Sequence, residues 1–182
     1  MSIQSQSFWK FSLELYDRGS VAPACLELQN RFDLDINLVL FCYWYGYAWG
    51  EIDTATLNEV VDTSSNWKKN VVQPLRNVRK WMKLNSGDFH PKQVTHFNNL
   101  RQQIKADELD AEKYQQEAME RVVLGDSKNI SARLDRSAER IGTIIDPRAA
   151  SRFNLEQMLK TIGVEENSSI ELEFEKIDSS LS

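Results

Sequence analysis

Six bases and no acid lie between Thr63 and Gly87, the densest run of reactive charge in the 182 residues. At 100° per residue, Lys69, Arg76, Arg79, Lys80 and Lys83 fall within an arc of about 100°, opposite Trp67, Val71, Leu75, Val78 and Met82. A helix of that pattern buries one stripe and shows a basic one. Such a stripe suits an anion: a phosphate, a nucleic-acid backbone, a lipid head group or an acidic partner segment. The same pattern also fits a solvated face whose charges pair with acidic neighbours. Asp107 and Glu108 are the internal candidates for that pairing. Asp107 falls inside the apolar stripe Phe97, Leu100, Ile104, Ala111, Tyr114, Ala118 and Val122, where a carboxylate needs a partner. A buried ion pair of Asp107 or Glu108 with Arg76 or Arg79 leaves Lys69, Lys80 and Lys83 for an outside anion.

Other chemistries fail on spacing. The stretch DLDIN matches the start of a calcium loop, but Leu38 stands where the sharp turn requires glycine and Trp44 where a bidentate glutamate is required. His90 and His96 are six apart, and no glutamate sits at helical ligand spacing, so no zinc-hydrolase helix is present. No serine occupies GxSxG, and no glycine-rich loop is available to cradle phosphate. No metal, cofactor or catalytic set is expected. Cys25 and Cys42 lie in apolar contexts without CxxC spacing and read as buried thiols.

The fifteen residues from Ile36 to Gly50, INLVLFCYWYGYAWG, are uncharged and rich in aromatic rings. A membrane span needs about 20 apolar residues, and Asp33, Asp35, Glu51 and Asp53 flank this run, so no membrane span is expected. A helix apolar all round is the central helix of a bundle. Gly46 and Gly50 let another helix approach closely. Alternatively, some of Tyr43, Tyr45 and Tyr47 line a pocket, because a buried tyrosine hydroxyl needs a partner.

The remaining elements are also helical. VAPACLELQNRF repeats Val21, Cys25, Leu28 and Phe32 at helical spacing, with Pro23 in the first turn. FWKFSLELY fits a strand or a helix, and helix is preferred because a lone strand would lack a partner. Asp53 or Thr54 caps a short helix through Leu57, Val60 and Val61, and a second runs from about Asn66 to Leu84, kinked or restarted at Pro74. A long helix follows from about Lys92 to Leu124. Another spans Asn129 to Ile145, with Ile130, Leu134, Ala138, Ile141 and Ile145 in register. A last helix, capped by Asn154 with Gln157, ends at Ile162 before Gly163. The expected fold is an all-α, single-domain bundle of six or seven helices over residues 1–162, followed by an acidic, flexible tail at 163–182.

Charge is unevenly spread. The tail holds six acids and one base, which is the whole net charge of −5, so residues 1–162 balance at 21 acids and 21 bases. That balance argues against generic nucleic-acid affinity. In the tail, Ile170, Leu172 and Phe174 alternate with Glu171, Glu173 and Glu175 as in a half-buried strand. The tail is expected to be disordered, paired within the domain, or offered to a partner, and it could fold over the basic stripe. The first residues, MSIQSQSFWK, lack the features of a secretory leader, which places the protein in the cytosol.

FWKFSLELY, ACLELQ and DINLVLFCYW, at these separations and with WKKNVVQPLR downstream, resemble a family of short bacterial proteins known only as a domain of unknown function. The likeness covers about Phe8 to Arg79. It implies a bacterial cytosolic protein and no particular chemistry, and it draws attention to Phe8, Trp9, Gln29, Asn37 and Trp44. Gln29 and Asn37 are amides beside apolar helices, hydrogen-bond anchors for a core or a pocket. The candidate pocket residues are therefore Trp9, Gln29, Asn37, Tyr43, Trp44 and Tyr47. Two functions follow. One is a helical interaction module that binds a protein partner through the basic stripe or the acidic tail. The other is a small-molecule binder or enzyme with an aromatic pocket, in which Arg76 or Arg79 holds an anionic small molecule.

Overall fold

The computed structural model describes residues 6–87, 94–125 and 146–181. Its helices are α1 (Phe8–Tyr16), α2 (Val21–Phe32), α3 (Ile36–Trp49), α4 (Thr54–Trp67), a π-helical segment (Lys68–Val72), α5 (Gln73–Leu84), α6 (Val94–Leu124), α7 (Pro147–Thr161) and α8 (Ser168–Ser180). Because α4, the π segment and α5 form one unbroken run, the described residues make seven helices and no strand, an all-α bundle. His90 and the expected helix at 129–145, with Ile130, Leu134, Ala138, Ile141 and Ile145, lie outside the described residues.

The core forms around α3. Eleven of its fourteen residues are buried, as its lack of any polar face requires. Phe8 stacks on Trp44 with centroids 5.2 Å apart, and Trp49 meets Trp44 edge-on at 4.6 Å. α7 lies along α3 where Gly46 removes the side chain: a Cβ there would stand 2.6 Å from the Ser151 nitrogen and 2.7 Å from its Cα. Asp35 caps α3, accepting from the Asn37 amide at 3.0 Å, while Asp33 ends α2 in a left-handed conformation.

Several expectations change. Asn154 does not begin a helix: α7 starts at Pro147, capped by Asp146, and Asn154 is buried within it. Its side chain accepts from Ile52 N at 2.8 Å and donates to the Gly50 carbonyl at 3.0 Å, so it serves the buried C-terminal end of α3 instead. Pro74, expected to mark a kink or a restart, lies in the first turn of α5, where α-helix resumes after the π segment. The wider π turn accommodates the missing N–H and the ring crowding that proline brings.

The tail is likewise not a strand, nor is it disordered between 168 and 180. Asn167 caps α8, and Ile170, Phe174 and Ile177 are buried at helical spacing while Leu172 points out. The acids that alternate with apolar residues also satisfy a period of 3.6, and docking decides between the two readings. α8 packs on α2, with Ser20 donating to the Lys176 carbonyl at 3.0 Å and Arg152 paired to Asp178 at 2.6 Å. It does not cover the basic stripe.

Among the described residues, no helix is long and apolar enough to cross a membrane.

Candidate functional site

The π segment changes which side of α5 faces inward. A π turn holds more residues than an α turn, so faces counted at 100° per residue slip beyond it. Arg76, expected on the outer stripe, is buried with Met82, whereas Val78 is 47% exposed. Arg79 is half-buried beside Arg76. Lys69, Lys80 and Lys83 remain on the surface and form no ion pair with described residues. The five candidate anion-binding residues are thus split.

The long helix α6 is also rotated from its expected phase. Its buried face carries Glu108, Ala111, Gln115, Gln116, Met119 and Val123, while Leu100 and Tyr114 are about half exposed. Asp107 lies on the outside and accepts from Gln103 at 3.0 Å. Glu108 faces inward and accepts from Arg76 Nε at 3.0 Å and from both Arg79 Nε and Arg79 Nη2. Glu112, one turn on, meets Arg76 Nη2 at 2.5 Å. Polar residues at 108, 112, 115 and 116 share one side of the helix, a spacing visible in the sequence but masked by the apolar stripe beside it.

Burial alone would push the Glu108 carboxyl up, but hydrogen bonds from Arg79 and Arg76 outweigh it and hold the group below the ordinary range. For Glu112 burial wins: with Arg76 shared between two acids and Glu108 adding its own repulsion, its carboxyl is pushed up.

Next to these ions runs a chain of amides. Gln115 Nε2 donates to Asp35 Oδ2 at 2.8 Å and to the Ser64 hydroxyl at 2.8 Å. Gln115 Oε1 accepts from Asn37 Nδ2 at 2.7 Å, and Asn37 Oδ1 accepts from Gln116 Nε2 at 2.7 Å. An ionised carboxylate and a backbone carbonyl only accept, so Asp35 and the Ser64 carbonyl, the latter 3.3 Å from Gln115 Nε2, fix the direction of every bond in the chain.

These groups line a cleft of about 680 Å³, within the range of ligand sites. α1 contributes Trp9, Ser12, Leu13 and Tyr16, and α2 contributes Ala22, Leu26 and Gln29. Asn37 and Leu40 of α3 lie in its lining, Val72 and Arg76 form part of one wall, and Glu108, Glu112, Gln115 and Gln116 of α6 form another. Of the candidate pocket residues, Trp9, Gln29 and Asn37 line it. Tyr43, Trp44 and Tyr47 do not: Tyr43 is fully buried and donates to the Phe174 carbonyl at 3.2 Å, Trp44 donates to the Gln6 carbonyl at 3.1 Å, and Tyr47 is half-buried beside Arg148. The aromatic helix fills the core, and its amide-bearing first turn meets the cleft. Ser12, Glu112, Gln115 and Gln116 were not foreseen as part of a site.

Both cysteines are free and buried, and burial pushes the Cys25 thiol up to about 12. Among the described residues, no group of three or more His, Cys, Asp and Glu side chains is placed to hold a metal ion.

No curated protein and no solved structure matches the chain significantly. The sequence profile of one family, described as protein of unknown function (DUF2390), matches residues 7–119, which include every residue lining the cleft and exclude α7 and α8. The chain belongs to that family.

Proposed function

We propose that this protein binds a small organic molecule in the cleft over the first turn of α3. The observation that carries the reading is the cleft itself: a ligand-sized space with polar amides, set amid Leu13, Leu26 and Leu109, each about half exposed. Its ionic lining is balanced, with Lys68, Arg76, Arg79 and Lys105 against Asp17, Asp35, Glu108 and Glu112. Arg76 and Arg79 already hold carboxylates, so the cleft suits a neutral molecule better than the anionic one expected from the basic stripe. Titrating a fragment library into ¹⁵N-labelled protein tests this. Shifts gathered on Ser12, Gln29, Asn37 and Gln116, and abolished by filling the cleft with Ala22→Phe, are expected. Shifts scattered over the surface, or unchanged in Ala22→Phe, would refute it.

A protein partner is a second reading, supported by the outer face of α5. Val78, Trp81 and Leu84 are 47, 56 and 84% exposed there, next to Lys80 and Lys83. Copurification of one acidic protein that is lost in Trp81→Ser supports it, and capture independent of Trp81 and Leu84 counts against it. Buried free thiols at Cys25 and Cys42 support a reducing, cytosolic setting for either reading.

A further inference from the structure

The amide chain in the cleft wall has a direction, and it ends unsatisfied. Asp35 and the Ser64 carbonyl accept only, which forces Gln115 to donate toward them, Asn37 to donate to Gln115, and Gln116 to donate to Asn37. Gln116 Oε1 is left over as an acceptor. It is buried, on a residue 2% exposed, and has no hydrogen-bond partner among the described residues. Ser12 Oγ, on the α1 wall of the same cleft and 3% exposed, has none either. A chain of aligned hydrogen bonds polarises its members, so the terminal oxygen is a stronger acceptor than an isolated amide. Leaving it unpaired is unfavourable, and no turn of the Gln116 amide cures this without breaking the bond to Asn37.

We infer that the cleft recognises a neutral ligand through a hydrogen-bond donor, an N–H or O–H group, delivered to Gln116 Oε1 and shared with Ser12 Oγ, with the apolar body of the ligand against Leu13, Leu26 and Leu40. Both oxygens are sealed behind the cleft surface, so the contact includes a small local opening of the wall between α1 and α6. The inference rests on the cleft being a small-molecule site and adds the polarity of the group it selects. An acceptor-only head group meets an oxygen of the same sign at Gln116 and has only the Ser12 hydroxyl to donate to it, so it binds more weakly. A donor completes the chain that Asp35 begins.

Matched probes test this: benzamide against N,N-dimethylbenzamide, and indole against 1-methylindole, titrated into ¹⁵N-labelled full-length protein. Each pair keeps its ring and loses its donors. The expected result is shifts in the side-chain amide signals of Gln116 and Asn37 with the donor-bearing probes, and affinity for them at least about tenfold above their methylated partners. Gln116→Met, which keeps the length and removes the acceptor, is expected to reduce the preference to within about twofold. Ser12→Ala guards against a variant that fails to fold. It removes an unsatisfied buried hydroxyl, so the urea midpoint is expected to hold or rise while the donor preference falls. Equal affinities within each pair would overturn the inference and leave the cleft a binding site. Binding of neither probe in a pair, together with an unresponsive cleft, would overturn both.

Discussion

Arg76 bridges two carboxylates one helical turn apart, Nε to Glu108 Oε1 at 3.0 Å and Nη2 to Glu112 Oε1 at 2.5 Å. Its own side chain is 10% exposed, so the pairings are made largely out of water, where an uncompensated charge is expensive. Replacing Arg76 by Leu is expected to lower stability by about 3 kcal/mol, because half-buried Glu112 loses its counter-ion and buried Glu108 is left with Arg79 alone. Adding Glu108→Leu and Glu112→Leu is expected to restore most of it. Urea denaturation of the single and triple variants measures both effects.

The two acids pull in opposite directions with pH. Glu108, held below its ordinary 4.5, contributes stability that is present above that value and is lost as pH falls through the lowered one. Glu112, raised above 4.5, contributes stability that is complete below that value and is lost as pH rises through the raised one. Glu112→Gln is therefore expected to remove a decline in the urea midpoint on the alkaline side of pH 4.5. Glu108→Gln is expected to remove a decline on the acid side. Midpoints measured every half unit check the signs.

Gly46 and Ser151 set the separation of α3 and α7. A methyl at Gly46 would meet Ser151 backbone atoms, which cannot rotate away, so Gly46→Ala is expected to destabilise at the upper end of roughly 1–3 kcal/mol. The thermal midpoint should fall accordingly, whereas Gly19→Ala, with open space around its position, should be close to neutral.

That close approach was legible at Gly46, whereas Gly50, read beside it as a second contact glycine, instead ends α3 at a φ of 85°. The all-helical architecture and the burial of α3 were legible too: a stretch without charge leaves little choice. The site was less legible. Arg76 and Val78 exchanged roles because five residues of π-helix upstream shift the count that a helical wheel assumes. Glu108 was foreseen as one member of a buried ion pair, but Gln115 and Gln116 were overlooked as a buried face because they are polar, and their burial depends on partners 51 to 80 residues away. Asn154 was read as a local cap when its bonds reach Ile52 and Gly50, about a hundred positions back. Short-range patterns describe elements well. The partners that make buried polar groups tolerable are a property of the assembled bundle.

The acidic tail presents the same contrast, and its docking is testable. Phe174 is fully buried, its carbonyl accepts from Tyr43, and Arg152 lies over its ring. Phe174→Ala is expected to lower stability by roughly 3–5 kcal/mol. Amide hydrogen exchange should show protection of Ile170 to Ile177 in the native chain and its loss in the variant.

The cleft is the centre of this account, and native mass spectrometry of the chain purified from its own cells addresses it without guessing a ligand. A retained small molecule in the wild-type protein that is missing from Ala22→Phe, with circular dichroism and urea midpoint showing the variant folded, is the predicted result. A wild-type spectrum of the bare chain alone, or a retained molecule that Ala22→Phe still carries, would contradict it.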